Sequence, residues 1–421
     1  MVDSICIFEG IYYSRLLPLV YLRPEYDLRS GILSLREKVL KRFPKIPTTL
    51  HCRSYLSELV KLKNPDLLVN EINGNHCLFI NGRVLMDDDL AKILVEDTID
   101  TLYVKGDSII AAKVSGLKLE QLKKGLYDLY TLSDFGDLFK KEIEARIINY
   151  PWELVHFNGE EIINDFNLLT KDKVDCMIRG NVYEGAYLIA KENIYIDEGT
   201  KIMPGAVLDA EKGPIYIGKD SVIQPNATIV GPSYIGNRTY IRASTSIYER
   251  TSIGDVCKIG GEVEDSVIHS YTNKQHGGFL GHAYLGSWVN LGADTNNSNL
   301  KNNYGSIRVT INDQLVDSGL QFVGLMMGDH SKTSINTMFN TATVVGVGSN
   351  VFGAGFPPKY IPSFCWGGAE SLTTYDIERS LEVAQRVMTR RDVKFTSLDE
   401  KLLRKVFDLT KEERRRRGMP S

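Results

Sequence analysis

The sequence predicts an α/β domain followed by a parallel β-helix of hexapeptide repeats and a helical C-terminal arm. Three observations lead to this fold class. Isoleucine recurs at every sixth position through the middle of the chain. Short apolar strands alternate with helical patterns before that region, and apolar residues recur at helical spacing after it. With 421 residues, of which 43% are hydrophobic, the chain is long enough for more than one core.

The period of six identifies the central region as a β-helix. The repeated residues are Ile217, Ile223, Ile229, Ile235, Ile241, Ile247, Ile253 and Ile259. This period fits neither an α-helix nor a single strand, but it is typical of hexads that each form one short strand and a turn. Further inward positions are predicted at Ile196, Ile202, Leu208, Phe279, Leu285, Leu291, Met327, Thr333, Phe339, Val345 and Val351. The β-helix domain is predicted at residues 176–368, with an inserted loop at 295–325 that we expect on a binding face.

The regions on either side have other periods. Residues 1–175 are predicted as the α/β domain, with strands at 5–8 and 77–80 and a helix at 32–43. An amphipathic helix interrupted at Tyr150-Pro151 is predicted at 138–156. Residues 369–421 are predicted as a helical arm, and the arginine run at its end, residues 414–417, fits either a phosphate clamp or a solvated tail.

Composition excludes several classes of partner. A formal charge of −3 and a pI near 6.2 give no global field that would recruit nucleic acid. The six cysteines lie far apart without a C-x-x-C pair, so we expect reduced thiols rather than a disulfide framework or zinc knuckle. No apolar run is long enough to span a membrane, and no signal peptide is recognisable, so a cytoplasmic location is expected.

Two segments carry a resemblance to a known family. Residues 274–281 read KQHGGFLG, residues 288–295 read WVNLGADT, and an Asn-Tyr pair follows at Asn303 and Tyr304. In these motifs the chain resembles the bifunctional N-acetylglucosamine-1-phosphate uridyltransferase/glucosamine-1-phosphate N-acetyltransferase family, in its divergent bacterial branch with a shortened N-terminal domain. The resemblance implies a left-handed β-helix, a nucleotidyltransferase-like, Rossmann-like N-terminal domain, acetyl-CoA as acyl donor, and a homotrimer.

The resemblance also implies roles for particular side chains. Acyl transfer to a sugar amine requires a neutral amine, and a histidine is suited to remove the proton near neutral pH. His276 is therefore the predicted general base. Backbone N–H groups at a corner of the coil, or an asparagine amide, would stabilise the oxyanion. Asn290, Asn303 and Tyr304 are predicted to bind the hydroxyl and phosphate groups of the sugar phosphate.

Several alternatives stay open at this point. Either Glu264 or Glu262 is a candidate to bind the substrate amine. A histidine in a β-helix is often only a turn residue, and the insertion asparagines fit left-handed turns equally well. His269, His276 and His282 allow a zinc site in principle, but their spacings of seven and six residues lack a close ligand pair, so no metal is predicted there.

The N-terminal loop departs from the pattern of sugar nucleotidyltransferases. Their glycine-rich loop binds phosphates, whereas only one glycine remains here, and the candidate nucleotide-binding residues are Gly10, Arg15, Arg23 and Lys38. Where the family places a magnesium-binding aspartate, this chain has Asn81, and Asp87 to Asp89 follow at a predicted helix start. Mg²⁺ with UTP is expected only if this domain transfers nucleotides.

Together these interpretations predict a bifunctional enzyme of nucleotide-sugar synthesis. Its substrates would be small sugar phosphates, acetyl-CoA and UTP, with acetylation of glucosamine 1-phosphate in the β-helix and formation of UDP-N-acetylglucosamine in the first domain. The main rival is a sugar-1-phosphate nucleotidyltransferase whose β-helix serves only as a trimerisation scaffold. A non-enzymatic sensor or scaffold is the other.

Overall fold

The N-terminal unit is built on a seven-stranded mixed sheet. The structure is a computed structural model that describes residues 2–97, 99–125, 128–172 and 177–420. The strands are β1 (Ser4–Phe8), β2 (Thr48–Leu50), β3 (Leu68–Val69), β4 (His76–Asn81), β5 (Thr101–Lys105), β6 (Ser108–Ser115) and β7 (Phe139–Glu142). They lie in the order β3-β2-β1-β4-β6-β5-β7, with β6 antiparallel to both neighbours. The helices are α1 (Leu35–Arg42), α2 (Ser57–Lys63), α3 (Asp88–Glu96) and α4 (Gly116–Lys124).

The predicted strands and first helix of this unit are confirmed. All five residues of β1 are buried, as expected for a central strand with both faces covered. Helix α1 begins at a capping box in which Ser34 and Glu37 exchange hydrogen bonds. Phe8, Phe79 and Phe135 pack together in the core below the sheet's carboxyl edge.

The predicted helix at 138–156 is wrong in its first part. Phe139–Glu142 instead forms the edge strand β7, which pairs in parallel with β5. The backbone hydrogen bonds of this pairing outweigh the local helical pattern. Helix α5 (Pro151–His156) begins only at the proline, whose fixed φ suits the first turn of a helix.

The main boundary between the two compact units lies earlier in the chain than the predicted domain boundary. The second unit contains Leu17–Leu19, Arg29–Ile32 and Pro151–Ser421. Helix α5 and helix α6 (Asn158–Thr170) therefore belong with the β-helix, where α6 packs against its strands. The predicted boundary between residues 175 and 176 itself lies outside the described residues.

The β-helix has three parallel faces, as predicted from the hexads. The first face comprises Ile194–Ile196, Ile215–Ile217, Ser233–Ile235, Thr251–Ile253, Val267–Ile268, Tyr284–Leu285, Met326–Met327, Val344–Val345 and Tyr360–Ile361. The second comprises Asn181–Val182, Lys201–Ile202, Val222–Ile223, Tyr240–Ile241, Lys258–Ile259, Asn273–Lys274, Lys332–Thr333, Asn350–Val351 and Cys365–Gly367, where Leu372–Thr374 pairs antiparallel. The third comprises Tyr187–Ile189, Val207–Asp209, Thr228–Val230, Ser246–Ile247, Glu262–Glu264 and Phe279–Gly281, followed by the pair Asn296–Asn297 and Met338–Phe339.

The predicted inward residues are buried with the exception of Phe279, and the apolar ones among them form one continuous core. The isoleucines from Ile196 to Ile259 are fully buried in it. Phe279 was predicted to point inward, but its neighbour Leu280 does so, stacked on Val263. The cause is a short step of the coil, because the inward residues Leu280 and Leu285 are five positions apart and a count of six back from Leu285 reaches Phe279. A prediction that assumes a constant spacing of six residues does not detect such a deletion.

The insertion and the C-terminal arm both have regular structure. The insertion contains an antiparallel hairpin of Arg308–Ile311 and Gln314–Asp317. The arm contains α7 (Ile377–Thr389), α8 (Ser397–Leu409) and α9 (Lys411–Arg416). Of the terminal arginines, Arg414 is fully buried and donates to the carbonyl oxygen of Phe407 at 2.8 Å. Arg414 thus has a structural role rather than that of a phosphate clamp.

Two predictions from composition can be compared with the described residues. Cys6, Cys52, Cys77, Cys257 and Cys365 are free and buried, while Cys176 lies outside that part of the chain. Within the same residues, the structure has no helix whose length and apolar character would suit a membrane span.

Candidate functional site

A cavity of about 490 Å³ opens beside His276 on the second face of the β-helix. His276 and Asn290 both line it and both are exposed. Asn290 also bridges the strands at Asn273 and Lys332, so it holds a fixed place in the coil. The structure thus brings together two of the predicted site residues. We call this space the Trp288 cavity, after the aromatic residue in its wall.

The remaining polar lining of the Trp288 cavity is dominated by cations. Lys258, Lys332, Arg390 and Arg391 line it, and no carboxylate is among the lining residues. Arg391 follows the C-terminal end of α7 and donates to Asn273 Oδ1 at 2.5 Å. Burial lowers the pKa of Lys332 to about 8. Burial lowers the pKa of Lys258, and the nearby arginines lower it further. Such a cluster favours an anionic ligand.

An aromatic ladder forms one wall of this cavity. The Tyr271 and Trp288 rings stack at 4.2 Å with an interplanar angle of 13°, and His330 continues the stack at 6.0 Å from Trp288. These three residues occupy equivalent corners of successive coils and have φ values of 66°, 62° and 59°. Left-handed backbone is uncommon for bulky side chains, so three of them in a column is a notable local conformation.

A second polar cluster lies at another corner of the same coils. Asn299 Nδ2 donates to Glu264 Oε1 at 3.0 Å and lies 3.0 Å from His282 Nδ1. The carboxylate and the ring nitrogen are themselves 3.9 Å apart. Burial lowers the pKa of His282, which keeps the ring neutral near pH 7. The pKa of Glu264 is raised, also by burial.

Three further side chains fix the orientation of the His282 ring. Phe322 from the insertion stacks on it at 4.8 Å between centroids. Asp265 Oδ2 lies 3.8 Å from His282 Nε2, and Arg250 forms an ion pair with the same carboxylate at 2.5 Å. The imidazole therefore has a hydrogen-bonded carboxamide on one nitrogen and a carboxylate near the other. This is the arrangement that orients a general base.

The predicted sugar-binding residues of the insertion lie apart from both places. Asn303 and Tyr304 are exposed and line neither the Trp288 cavity nor the His282 cluster. Asn303 Oδ1 accepts from the Gly305 N–H, and Tyr304 has φ 54°, so both residues form a local turn. Glu264, the predicted partner of the amine, lies beside His282 rather than His276. Glu262 lies on the same strand and is exposed.

A lysine occupies an inward position of the β-helix next to His276. Lys274 is 2% exposed and stands where Ile259 stands one coil earlier. Its Nζ donates to the carbonyl oxygens of Gly260 at 2.7 Å and His276 at 3.1 Å. Burial lowers its pKa to about 8. Lys274 therefore fixes the backbone of the corner that carries His276.

In the N-terminal unit, a cavity of about 260 Å³ lies at the end of β1. Gly10, Tyr12, Asn81 and Tyr130 are among the residues that line it. The Gly10 N–H donates to Glu25 Oε1 at 3.2 Å, so this amide is already engaged. That internal hydrogen bond replaces the cradle of free amides that a glycine-rich loop would offer to phosphates.

The cationic residues predicted to bind the nucleotide do not gather around this cavity. Arg15 stacks over the Tyr12 ring at 3.9 Å, which places it near the rim of the cavity. Arg23 is partly buried, and its carbonyl oxygen accepts from Arg53. Lys38 is fully buried on α1 and is not among the residues that line the cavity. Lys38 is therefore not placed to neutralise a phosphate there.

A buried ionic network fixes the loop that follows β1. Arg53 binds Glu9 through two nitrogens, with Nη2 to Oε1 at 3.0 Å and Nε to Oε2 at 3.1 Å. Glu9 also accepts the backbone N–H of Glu25. Burial raises the pKa of Glu25, and the guanidinium of Arg83 at 3.8 Å opposes that shift. These contacts bind the loop to the protein interior.

The described residues do not fit a magnesium site. No group of three potential ligands occurs among them. Asp107 is the one carboxylate lining the N-terminal cavity, and it accepts from the Tyr12 hydroxyl at 2.7 Å. Both polar atoms of the Asn81 side chain bond to backbone, and Asp87 caps helix α3. Hard cations prefer several carboxylate oxygens, which this cavity lacks.

Comparison with known proteins shows which proteins the chain is similar to. The sugar nucleotidyl transferase family profile matches residues 5–174. The protein named "Bifunctional protein GlmU" of Methanococcus aeolicus is 23% identical over 89% of this chain and 95% of its own length. The protein of the same name from Bartonella quintana is 23% identical over 60% of this chain. The chain is thus similar to proteins named GlmU, in one of them over most of both lengths.

The relatives differ in how much of their own length the chain covers. The chain spans about half the length of the Bartonella protein, 54%, although it spans most of the Methanococcus protein. Among solved structures, the UDP-N-acetylglucosamine acyltransferase of Campylobacter jejuni covers 53% of the chain at 13% identity, with a TM-score of 0.31.

From the sequence, His282 was considered only as a possible metal ligand. Lys258, Lys332 and Arg391 were not predicted as site residues. The signal for His282 was available, since it occupies a corner position that repeats from Asp265 one coil earlier. Arg391 gave no such signal, because it lies 118 residues from the asparagine that it contacts. Only the packed fold brings Arg391 and Asn273 together.

Proposed function

We propose that this chain is a bifunctional transferase of nucleotide-sugar synthesis. The β-helix unit transfers an acetyl group from acetyl-CoA to the amine of glucosamine 1-phosphate, and the N-terminal unit forms UDP-N-acetylglucosamine from UTP. The observation that carries the first activity is the cluster of His282, Glu264 and Asn299, in which a neutral imidazole and a carboxylate lie 3.9 Å apart. The relatives named bifunctional GlmU support the pairing of activities.

The geometry of the cluster suits an amine substrate. The Asn299 amide donates to Glu264 and lies within hydrogen-bond distance of His282 Nδ1, so its nitrogen marks a position where a donor meets both groups. A substrate ammonium that displaces the Asn299 amide from that position would be attracted by the carboxylate and would pass a proton to the ring nitrogen. The neutral amine then attacks the thioester carbonyl, forming the C–N bond as the thiolate leaves and takes up a proton. His282, rather than His276, is our proposed base.

The choice between the two histidines has a direct test. We expect His282→Ala to lower kcat for thiol release from acetyl-CoA with glucosamine 1-phosphate by roughly 10² or more, the usual contribution of a general base. His276→Ala is the matched control and should change kcat by only a few fold. Loss of activity in His276→Ala alone would restore the base predicted from the motif. Absence of thiol release in the unmodified chain would overturn acyl transfer.

The proposal for the N-terminal unit has separate support. The sugar nucleotidyl transferase profile covers residues 5–174, and the cavity at Gly10 lies at the carboxyl end of β1. In open α/β sheets, ligands bind at that edge. Arg15 is the proposed phosphate ligand, because it lies at the rim. No step is assigned to magnesium, since the residues do not fit it.

Pyrophosphate release from UTP with N-acetylglucosamine 1-phosphate tests this second activity. We expect Arg15→Gln to raise KM for UTP about tenfold, whereas Lys92→Gln, on an exposed pair of α3, leaves it unchanged. Assays with and without Mg²⁺ establish whether the reaction uses the ion. No pyrophosphate release under either condition would leave the acyltransferase as the sole activity. A homotrimer is also proposed, and light scattering on the full chain tests it.

A further inference from the structure

We propose that an ion-pair latch between the insertion and the C-terminal end of helix α9 positions the side chains around the proposed base. Asp313 of the insertion forms this latch with Arg416 and Arg417. The inference rests on the proposed role of His282 and deepens it, because it assigns positioning residues to the same site. It also gives a function to two arginines of the terminal run, for which the sequence allowed either a phosphate clamp or a solvated tail.

The insertion hairpin, which comprises residues 299–323, is paired along most of its length. Its two sides form backbone contacts from the base to the tip. The paired positions are Leu300 with Phe322, Ile307 with Leu320, and Arg308–Ile311 with Gln314–Asp317. Because a paired hairpin moves as one element, a shift of its tip is transmitted to its base.

The base of the insertion hairpin carries two side chains of the His282 cluster. Asn299 donates to Glu264 Oε1 at 3.0 Å and lies 3.0 Å from His282 Nδ1. Phe322 stacks on the same ring, with 4.8 Å between centroids and an interplanar angle of 21°. The Val323 N–H donates to the Asn299 carbonyl oxygen at 3.0 Å, which joins the two ends of the hairpin. Rotation of the hairpin about its base would therefore move both contacts to the ring together.

The tip of the insertion hairpin is held by two guanidinium groups. Asp313 lies in the turn with φ 62°, and its Oδ2 is 3.3 Å from Arg416 Nη1. Arg417 Nη2 donates to the other carboxylate oxygen. The hydrogen bond from Arg417 is the main cause that lowers the pKa of Asp313, so the carboxylate stays charged near neutral pH.

Helix α9 anchors this latch on the last coil of the β-helix. Arg417 stacks over the Tyr360 ring at 4.4 Å, and Arg414 of the same helix is fully buried. The strand Tyr360–Ile361 lies three strands beyond Tyr284–Leu285 on the first face. At a strand spacing of about 4.8 Å, these two strands are about 14 Å apart. The insertion hairpin therefore connects the coil of the proposed base with the last coil.

The latch supplies a directional contact that the apolar side of the hairpin lacks. Ile307, Val309 and Ile311 are buried and hold the hairpin against the protein. Burial of apolar area is non-directional, whereas charge-assisted hydrogen bonds from two guanidinium groups fix the orientation of the carboxylate that accepts them. Displacement of a catalytic group by about 1 Å can lower a rate about 100-fold. A small change in the direction of the hairpin would thus be measurable at His282.

Titration of the His282 ring in the full chain, followed by nuclear magnetic resonance, tests the latch without an activity assay. Burial lowers the pKa of His282, and Phe322 covers one side of the ring. We expect Asp313→Lys to raise this pKa toward its ordinary value, because the reversed charge repels the arginines and displaces Phe322. Phe322→Ala should raise it at least as far. The charged and titratable groups that face the ring are the same in these variants, namely Glu264, Asp265, Arg250 and His156.

A charge swap and a matched control separate positioning from loss of stability. Arg417→Glu added to Asp313→Lys restores an ion pair at the tip and should return the His282 titration most of the way to that of the unmodified protein. Glu382→Lys makes the same change of charge in an exposed ion pair of α7 and should leave the titration unchanged. Where Asp313→Lys does not fold, Asp313→Asn removes only the charge and should shift the titration in the same direction by a smaller amount.

The outcomes distinguish this inference from the proposed function. In the acyl-transfer assay, Asp313→Lys should lower kcat roughly fivefold, the largest factor expected from an exposed ion pair, and the charge swap should restore it. An unchanged His282 titration in Asp313→Lys would overturn the latch, whether or not Phe322→Ala raises the pKa. A charge swap that restores nothing would overturn it as well. A latch-dependent titration in a chain that releases no thiol would sustain the positioning of the ring while the acyltransferase proposal failed.

Discussion

Burial of Lys274 makes the stability of the β-helix depend on pH in a way that a single substitution can isolate. The ammonium group occupies an inward position of the coil, and among the described residues its three protons meet two carbonyl oxygens, those of Gly260 and His276. Burial lowers the pKa from 10.5 to about 8. In the unfolded chain, the same amine keeps its proton to a higher pH, near ~10.4.

The magnitude follows from this difference. A fall of the pKa from 10.5 to about 8 corresponds to roughly 3 kcal/mol of unfavourable free energy while the lysine is protonated in both states. As pH rises above 8, the folded lysine loses its proton while the unfolded one retains it, so this penalty decreases. Between pH 7 and 9.5 the contribution of Lys274 to the free energy of unfolding should therefore rise by about 2 kcal/mol.

Urea unfolding of the β-helix transition at pH 7 and pH 9.5 provides the assay, with Lys274→Met as the comparison. Methionine has a similar length but does not titrate, and the hydrogen bonds that it loses do not depend on pH in this range. The unmodified protein should therefore gain about 2 kcal/mol relative to Lys274→Met at the higher pH. A difference between the two proteins that stays constant within about 0.5 kcal/mol would refute a desolvated ammonium at this position.

Three further predictions concern stability, and chemical denaturation measures each. Ile247→Ala should cost about 2–5 kcal/mol, because it leaves a cavity in the fully buried core, whereas Ile335→Ala on the surface should cost less than about 0.5 kcal/mol. Arg53→Met should cost about 3–5 kcal/mol by leaving the Glu9 carboxylate buried without its partner, and a smaller loss would mean that water reaches it. Asp376→Ala should cost about 1 kcal/mol by removing the side-chain cap of α7; no change would mean that the cap is replaced by solvent.

Much of the fold was predictable because its signals are local. Each hexad must place one apolar residue inward, and the isoleucines from Ile217 to Ile259 do so. The mistakes occurred where local pattern and long-range pairing disagree. Phe139–Glu142 forms an edge strand because its backbone pairs with β5. Leu280 points inward instead of Phe279 because one step of the coil is shorter than six residues.

The sites were less predictable than the fold. The motif led to His276 and Asn290, which do share a cavity, but it associated Glu264 with His276 instead of His282. Spacing along one strand does not reveal which corner of a coil a side chain occupies. In the N-terminal unit, Lys38 matched a basic position yet is buried, because α1 turns that face toward the core.

For this protein, the sequence by itself determined the period, and with it the coil, the inward residues and the chemical types available for catalysis. Only the tertiary structure determined which of these side chains come into contact. Asn299 reaches Glu264 across 35 residues, and Arg391 reaches Asn273 across 118. A coil stacks residues from separate turns at one corner, so proximity depends on the length of every intervening corner and insertion. No single stretch of the chain specifies those lengths together.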